Sequence, residues 1–168
     1  MTTAFAQTAT YTHTHSIVFL SDNLRNTLRE VIRENGISPD KLMQEWEIIE
    51  QGIRTWIRSG HLTDVVVEFH KPGTTVIAAR WDFPVHYTGS GVEDDMWRDG
   101  DYLRQLIAKA KRPPPDCVYR IILCTRVGAP RVVGFADCTL LSTSTLSPRE
   151  AGTVIATAHM TASVTYWK

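Results

Sequence analysis

The stretch RWDFPVHYTGSGVEDDMW, residues 80–97, gathers side chains that could do chemistry. It holds His86, a Gly-Ser-Gly turn and three consecutive acids, Glu93 to Asp95. Carboxylate oxygens suit Mg²⁺ and Ca²⁺, but consecutive acids point in divergent directions, and the alternating ligands of a calcium loop are absent. The turn at 89–91 lacks the lysine of a phosphate-binding loop. The stretch therefore favours a strand, a solvated acidic loop and a helix start over a metal or nucleotide site.

Two histidines near the ends of predicted strands keep an enzymatic alternative open. His70 and His86, with Asp82 nearby, could supply a general base and its orienting carboxylate. The sequence contains no Gly-x-Ser-x-Gly elbow and no His-Glu-x-x-His motif. A small metal-dependent hydrolase using His70, His86 and the acidic loop is thus one alternative, and a plain structural α+β interaction domain is another. We assign no catalytic residue and expect no metal and no cofactor.

Composition excludes several functional classes. The chain has 168 residues, enough for one domain, with 43% hydrophobic and 21% charged residues. Eighteen basic residues balance eighteen acidic ones, so no net charge draws the chain to nucleic acid or to an anionic membrane. No apolar run reaches the roughly 18–20 residues that span a bilayer, and the N-terminus lacks the features of a secretory signal. Cys117, Cys124 and Cys138 are too few for a disulfide framework, which indicates reduced thiols and a cytoplasmic location.

Apolar residues recurring every three or four positions predict two helices near the N-terminus. The first stripe comprises Ile17, Leu20, Leu24, Leu28, Val31 and Ile32, and Asn35-Gly36 ends it. The second, which follows Ser38 as N-cap and Pro39 at the first helical position, comprises Leu42, Trp46, Ile49, Ile53, Trp56 and Ile57. Gly52 interrupts this second helix at a cost of about 1 kcal/mol relative to alanine, which close helix packing could explain.

Three strands and a third helix follow. Residues 64–70 and 74–87 predict a hairpin with the turn Lys-Pro-Gly-Thr between its strands. Pro84 predicts a bulge, an edge position or a break in the second strand, whose Trp81 and Phe83 share one face with Val85. A helix starting near Asp99 should end before the three prolines at 113–115, and residues 117–125 form the strongest strand.

The two ends of the chain differ from its middle. Residues 1–12 are small and nearly uncharged, which predicts a flexible arm. His13 and His15 alternate across Thr14, a spacing that would place both on one face of a strand. The last forty residues are rich in Thr, Ser and Ala and show short strand-like pieces without a helical stripe. We interpret this region as hairpins with a weak core of their own, able to move.

Whole phrases of the sequence resemble a known family. The order of arm, two helices, hairpin, third helix, strong strand and Thr-rich C-terminal segment is similar to that of a HORMA domain. The phrases WEIIEQGIRTWIRSG, VVVEFHKPG, RWDFPVHYTGSGVEDDMW and AGTVIATAHMTASVTYWK resemble bacterial HORMA proteins encoded beside cGAS-like nucleotidyltransferases in anti-phage operons of the CBASS type. The resemblance spans residues 11–168.

This resemblance implies an α+β fold in which three helices pack on a mainly antiparallel sheet. Residues 13–168 would form a single HORMA-like domain, with a safety belt at 129–168. Such a domain has no catalytic activity of its own, and it captures an extended closure-motif peptide as an added strand, which the belt then locks. The receiving strand would be 117–125. The predicted peptide-binding residues are Tyr119, Ile121, Leu123, Val132 and Val133.

The resemblance also implies protein partners. In the bacterial family the closed, peptide-bound form activates the cGAS-like nucleotidyltransferase, which makes a nucleotide second messenger. An AAA+ ATPase engages the N-terminal region and reopens the domain. The chain would thus be a cytoplasmic, two-state signalling adaptor that binds neither nucleic acid directly nor a membrane.

Overall fold

Three helices and six strands make up the part of the chain that the computed structural model describes, residues 2–92 and 95–168, with the side chains of the first helix described from residue 13 onward. Glu93 and Asp94 of the predicted acidic loop lie outside the described residues. In chain order the elements are α1 (Thr2–Glu34), α2 (Asp40–Arg58), β1 (Leu62–His70), β2 (Ile77–His86), β3 (Trp97–Arg98), α3 (Gly100–Lys109), β4 (Val118–Thr125), β5 (Pro148–Ala156) and β6 (Thr161–Trp167).

The described strands form one antiparallel sheet in the order β3-β5-β6-β2-β1-β4. Val65 of β1 lies opposite Phe83 of β2 on one side and opposite Leu123 of β4 on the other. Val65, Val67 and Phe69 join the core with the helices, so the helices cover one face of the sheet. The α+β architecture predicted from the sequence, three helices on an antiparallel sheet, is confirmed.

Both predicted helical stripes form the centre of the core. Every residue of the first stripe, from Ile17 to Ile32, and every residue of the second, from Leu42 to Ile57, is buried. α2 contacts β1 and β4, whereas α1 contacts α2, α3 and β5. α2 therefore lies over the β1–β4 side of the sheet, and α1 lies over the β5 side.

The first helix is longer than the stripe predicted. It begins at Thr2 and so includes the segment for which we predicted a flexible arm, whose mobility stays a prediction. His13 and His15 lie in this helix, so their placement on a strand was wrong. His13 precedes Ile17 by four residues and extends the buried stripe backward, and its ring meets that of His159 edge to face at 5.3 Å.

Pro84 lies in the interior of the sheet, because β2 pairs with β1 on one side and with β6 on the other. Pro84 stands opposite Asp64 of β1, while the ladder to β6 has no pairs between Asp82 and Val85. The prolyl nitrogen, which cannot donate, is thus accommodated by a local break in one ladder and not by an edge position. Trp81 and Phe83 are fully buried, as their spacing predicted.

The start of α3 is fixed by a capping residue and by ion pairs to α1. Asp99 is the N-cap, and its carboxylate accepts a hydrogen bond of 2.9 Å from the Tyr102 backbone N–H. Glu30 of α1, which is 7% exposed, accepts hydrogen bonds from the guanidinium groups of Arg98 and Arg104. These contacts tie α1, β3 and α3 together around a largely buried carboxylate.

Residues 126–168, which include the predicted safety belt at 129–168, divide into two structural parts. Residues 126–147, which we term the crossing segment, contain turns but neither helix nor strand. β5 and β6 then form a hairpin that joins the sheet through β2, with Val154, Ile155 and Val164 buried.

Among the described helices, none is both long and apolar enough to cross a membrane.

The Asp99 cap gives a first prediction. Replacing Asp99 by alanine removes the acceptor for the Tyr102 N–H and should lower the free energy of unfolding by about 1 kcal/mol. Urea denaturation followed by circular dichroism measures this difference. Asp116→Ala, at an exposed site before β4, is the control and should change it by less than about 0.5 kcal/mol. Equal stabilities of the two variants would contradict the capping role.

Candidate functional site

One edge of the sheet carries unpaired backbone groups. β4 is the terminal strand of the sheet order, and its only strand partner among the described residues is β1. An edge strand exposes a row of N–H and C=O groups that can pair with another extended chain. The eight residues of β4, Val118–Thr125, therefore offer a template for one added strand.

The crossing segment first runs along the helix side of this edge. The Trp56 indole N–H donates a hydrogen bond of 2.7 Å to the Pro130 carbonyl. The ring of Phe135 packs edge to face against Trp56, with 4.9 Å between ring centroids. These contacts dock residues 130–135 on α2 beside the end of β4.

The crossing segment then reaches the opposite face of the sheet. There Glu68 of β1 is fully buried, and its carboxylate accepts hydrogen bonds from Arg120 Nε at 2.6 Å and from the Leu141 backbone N–H at 2.7 Å. Arg120 also donates to the Thr139 carbonyl. Because Phe135 docks on the helix side and Leu141 on the other side, the segment passes around the edge of β4.

A cavity of about 770 Å³ lies between β4 and the crossing segment. Its walls include Ile122 to Thr125 of β4, Trp56 of α2, and residues 129–138 of the segment. A second, neighbouring cavity of about 320 Å³ is lined by α2, by Ile121 to Leu123, and by the crossing segment. The larger volume falls within the range of about 300–1,000 Å³ that is typical of ligand pockets.

The five residues predicted to bind a peptide occupy different positions. Leu123, Val132 and Val133 line the larger cavity, and Ile121 and Leu123 line the smaller one. Tyr119 lies in the core, where its hydroxyl accepts a hydrogen bond of 2.9 Å from the Leu42 N–H, and it lines neither cavity. The binding role of these residues stays a prediction.

Sequence reasoning did not single out several residues of the site. Phe135 and Cys138 line both cavities, and Glu68 holds the crossing segment from the other face. Glu68 carried a usable signal, since a carboxylate in the run DVVVEFH is unusual for a buried strand. Phe135 carried none, because a single aromatic residue in a Gly- and Ala-containing loop has no period to read.

Cys124 and Cys138 both line the larger cavity, one from β4 and the other from the crossing segment. Burial, with smaller contributions from the carboxylates of Asp64 and Asp82, raises the pKa of the Cys124 thiol to about 11. Cys124 is consequently a neutral thiol near pH 7 and a poor nucleophile, whereas Cys138 is exposed. The third cysteine, Cys117, is buried and lines neither cavity.

The structure does not bring together His70, His86 and Asp82, the residues of the hydrolase alternative. β1 and β2 run antiparallel with Asp64 opposite Pro84, so His70 and His86 lie at opposite ends of the hairpin, roughly 25 Å apart at the strand rise of 3.3 Å. Asp82 binds Arg80 and the Trp167 indole instead of either histidine. No cluster of three His, Cys, Asp or Glu residues suited to a metal ion occurs within the described part of the chain.

A single family description covers nearly the whole sequence. The bacterial HORMA domain 2 family matches residues 5–168, and the chain belongs to this family. Comparison with curated protein sequences gives no match. The resemblance seen in the sequence phrases is thereby confirmed.

Solved structures share the fold. A chain of the mitotic checkpoint complex matches with a TM-score of 0.71 and 11% identity, over 90% of this chain and 97% of that one. C. elegans HTP-2 bound to a HIM-3 closure motif matches with a TM-score of 0.57 and 15% identity, over 84% of each chain. A structure of the E. coli MS115-1 HORMA:CdnC:Trip13 complex matches with a TM-score of 0.57 and 13% identity, over 92% of this chain and 88% of that one. The fold is that of a HORMA domain.

The buried carboxylate gives a second prediction. Glu68→Gln keeps the side-chain size but removes the charge that binds Arg120 and the Leu141 N–H, so it should weaken docking of the crossing segment by about 1.5–3 kcal/mol. Hydrogen exchange of the Leu141 amide should accelerate by about tenfold or more. Glu150→Gln, at an exposed position of β5, is the control. Unchanged exchange at Leu141 in the Glu68 variant would show that the carboxylate does not hold the segment.

Proposed function

We propose that the chain captures an extended closure-motif peptide as a seventh strand beside β4, under the crossing segment. The observation that carries this proposal is the cavity between an unpaired strand edge and a segment that passes around it. Backbone pairing with β4 would supply affinity, and the walls around Ile121, Leu123 and Phe135 would select alternate side chains. The predicted residues Val132 and Val133 would line the channel, the term we use for the two neighbouring cavities together.

The C-terminal hairpin supports this arrangement. β5 and β6 pair on the β2 side of the sheet, so they leave the β4 edge free for another strand. Among the structures that share the fold, HTP-2 is bound to closure motifs. We infer that the described conformation is the closed one and that the safety belt comprises the crossing segment together with this hairpin.

We further propose that the chain is a cytoplasmic signalling adaptor without catalytic activity. The E. coli structure combines a HORMA protein with CdnC and Trip13, which supports a cGAS-like nucleotidyltransferase and an AAA+ ATPase as partners. In this proposal the peptide-bound form activates the nucleotidyltransferase in anti-phage defence, and the ATPase reopens the domain from its N-terminal region. The balanced charge of the chain fits protein partners better than nucleic acid.

Peptide capture predicts a defined loss in a cavity variant. Short random peptides, long enough to pair with β4, are displayed and selected on the purified chain. Ile121→Arg places a charge in the smaller cavity and should weaken binding of the selected peptide at least about tenfold. Val118→Arg is the matched control, because Val118 is exposed on the same strand and lines neither cavity. Fluorescence anisotropy measures both affinities, and circular dichroism verifies that both variants fold.

The same peptide should protect one thiol of the unaltered chain. Cys138 is exposed and lines both cavities, so bound peptide should slow its alkylation by iodoacetamide, while the rate at Cys117, which lines neither cavity, stays the same. Mass spectrometry of the digested chain reports the two rates side by side. Equal effects of the two arginine substitutions, or no protection of Cys138, would contradict binding beside β4.

The adaptor role predicts an effect on a second enzyme. A cGAS-like nucleotidyltransferase that binds the chain should form its nucleotide product about tenfold faster with the peptide-bound chain than with the chain alone. Chromatography of the reaction products measures the rate, and the Ile121→Arg variant should give no stimulation by peptide. A rate that does not respond to the peptide-bound chain would rule out activation while leaving peptide capture intact.

A further inference from the structure

Gly52 of α2 faces the crossing segment at a distance that excludes any side chain. A Cβ atom at this position would lie 2.5 Å from Phe135 Cζ and 2.6 Å from Phe135 Cε2, and 3.0 Å from Leu123 Cδ1. Glycine in a helix interior is less favourable than alanine. The absent side chain creates the notch in which the Phe135 ring sits.

Gly52 belongs to a ridge of α2 that receives the crossing segment. Ile48, Gly52 and Trp56 are spaced by four residues, so they lie along one side of the helix. Trp56 contacts both Phe135 and Pro130. At the other end, Gly134 approaches Ile48 with a φ of +94°, a left-handed conformation that favours glycine, and a Cβ there would lie 2.6 Å from Ile48 Cγ2. Two glycines, one on each partner, thus permit the close approach.

The Phe135 ring is also part of the channel. It lines both cavities beside β4, together with Leu123 and Cys138. Its position on α2 therefore determines how far the crossing segment stands from the strand edge.

We propose that Gly52 and Phe135 form a latch that holds the crossing segment over the channel and sets the rate at which a bound peptide leaves. The inference rests on the proposed peptide capture. A peptide strand beside β4 is enclosed by the segment, so its release requires the Phe135 ring to leave the notch. Gly52 is a positioning residue, because it touches no peptide and acts through Phe135, which itself lines the channel.

The substitution Gly52→Ala tests the latch, because the two possible roles of Gly52 predict opposite effects on how firmly the crossing segment is docked. If Gly52 is only a position in a helix, alanine raises helix stability and nothing loosens. If it is the notch for Phe135, the added methyl group displaces the ring. Exchange of the Leu141 amide should then accelerate in the free chain, and the selected peptide should dissociate about ten- to a hundredfold faster, the range that overpacking of a close contact produces. Gln51→Ala, exposed on the same turn, is the control.

A second variant separates the latch from damage to α2. A leucine at position 135 lacks the outer ring atoms that meet the new methyl group. The double variant Gly52→Ala, Phe135→Leu should therefore show slower Leu141 amide exchange and slower peptide release than Gly52→Ala alone. Phe135→Ala, which leaves α2 intact, should release peptide as fast as Gly52→Ala. Thermal melting verifies that the domain itself remains folded in each variant.

The outcomes distinguish the latch from the capture proposal. Unchanged or slower Leu141 exchange and peptide release in Gly52→Ala would overturn the latch, even where the peptide binds. If Gly52→Ala accelerates Leu141 amide exchange but the unaltered chain selects no peptide, peptide capture is overturned while the Phe135 contact is supported. Absence of rescue by Phe135→Leu would also count against the latch, since it would place the effect of Gly52→Ala elsewhere.

Discussion

The unpaired edge of β4 is the constraint around which the rest of the site is arranged. A free strand edge is a hazard for aggregation unless it is covered, charged or paired. Here it is covered by the crossing segment, which adds no strand to the sheet and leaves a cavity of about 770 Å³. The backbone groups on the outer edge of β4 are thus shielded but pair with no strand, since the C-terminal hairpin pairs on the other side of the sheet, beside β2.

A segment without a backbone ladder depends on a few side-chain contacts to stay in place. The contacts that hold the crossing segment include an apolar one, Phe135 on Trp56 and Gly52, and a charged one, the Leu141 N–H on Glu68. They lie on opposite faces of the sheet, so neither alone closes the loop around the edge. Phe135 and Val132 of the segment are only partly buried against the core that α1, α2 and β1 form, so undocking the segment requires less free energy than global unfolding.

Much of the fold could be predicted because its signals are local. The apolar stripes of α1 and α2 repeat over several turns, and both are buried throughout. Tyr119 shows where local reasoning ends. Tyr119 alternates along β4 with Ile121 and Leu123, as the sequence indicates. However, α2 lies against β4 so that Leu42 contacts Tyr119, while Ile121 and Leu123 line the smaller cavity. Which strand lies at the edge, and which helix crosses it, depend on contacts between residues far apart in sequence, and no period encodes them.

Departures from local rules mark the site better than any motif. Gly52 opposes helix formation, and Glu68 places a charge in an apolar strand. The crossing segment contributes to resolving both conflicts, since it fills the notch at Gly52 and donates to the carboxylate of Glu68, to which Arg120 of β4 also donates. Pro84 is a departure of another kind, because a gap in the β2–β6 ladder accommodates it within the sheet. The compensation that the crossing segment supplies at Gly52 and Glu68 requires the segment to be docked, whereas the ion pair of Glu68 with Arg120 lies between neighbouring strands of the sheet itself.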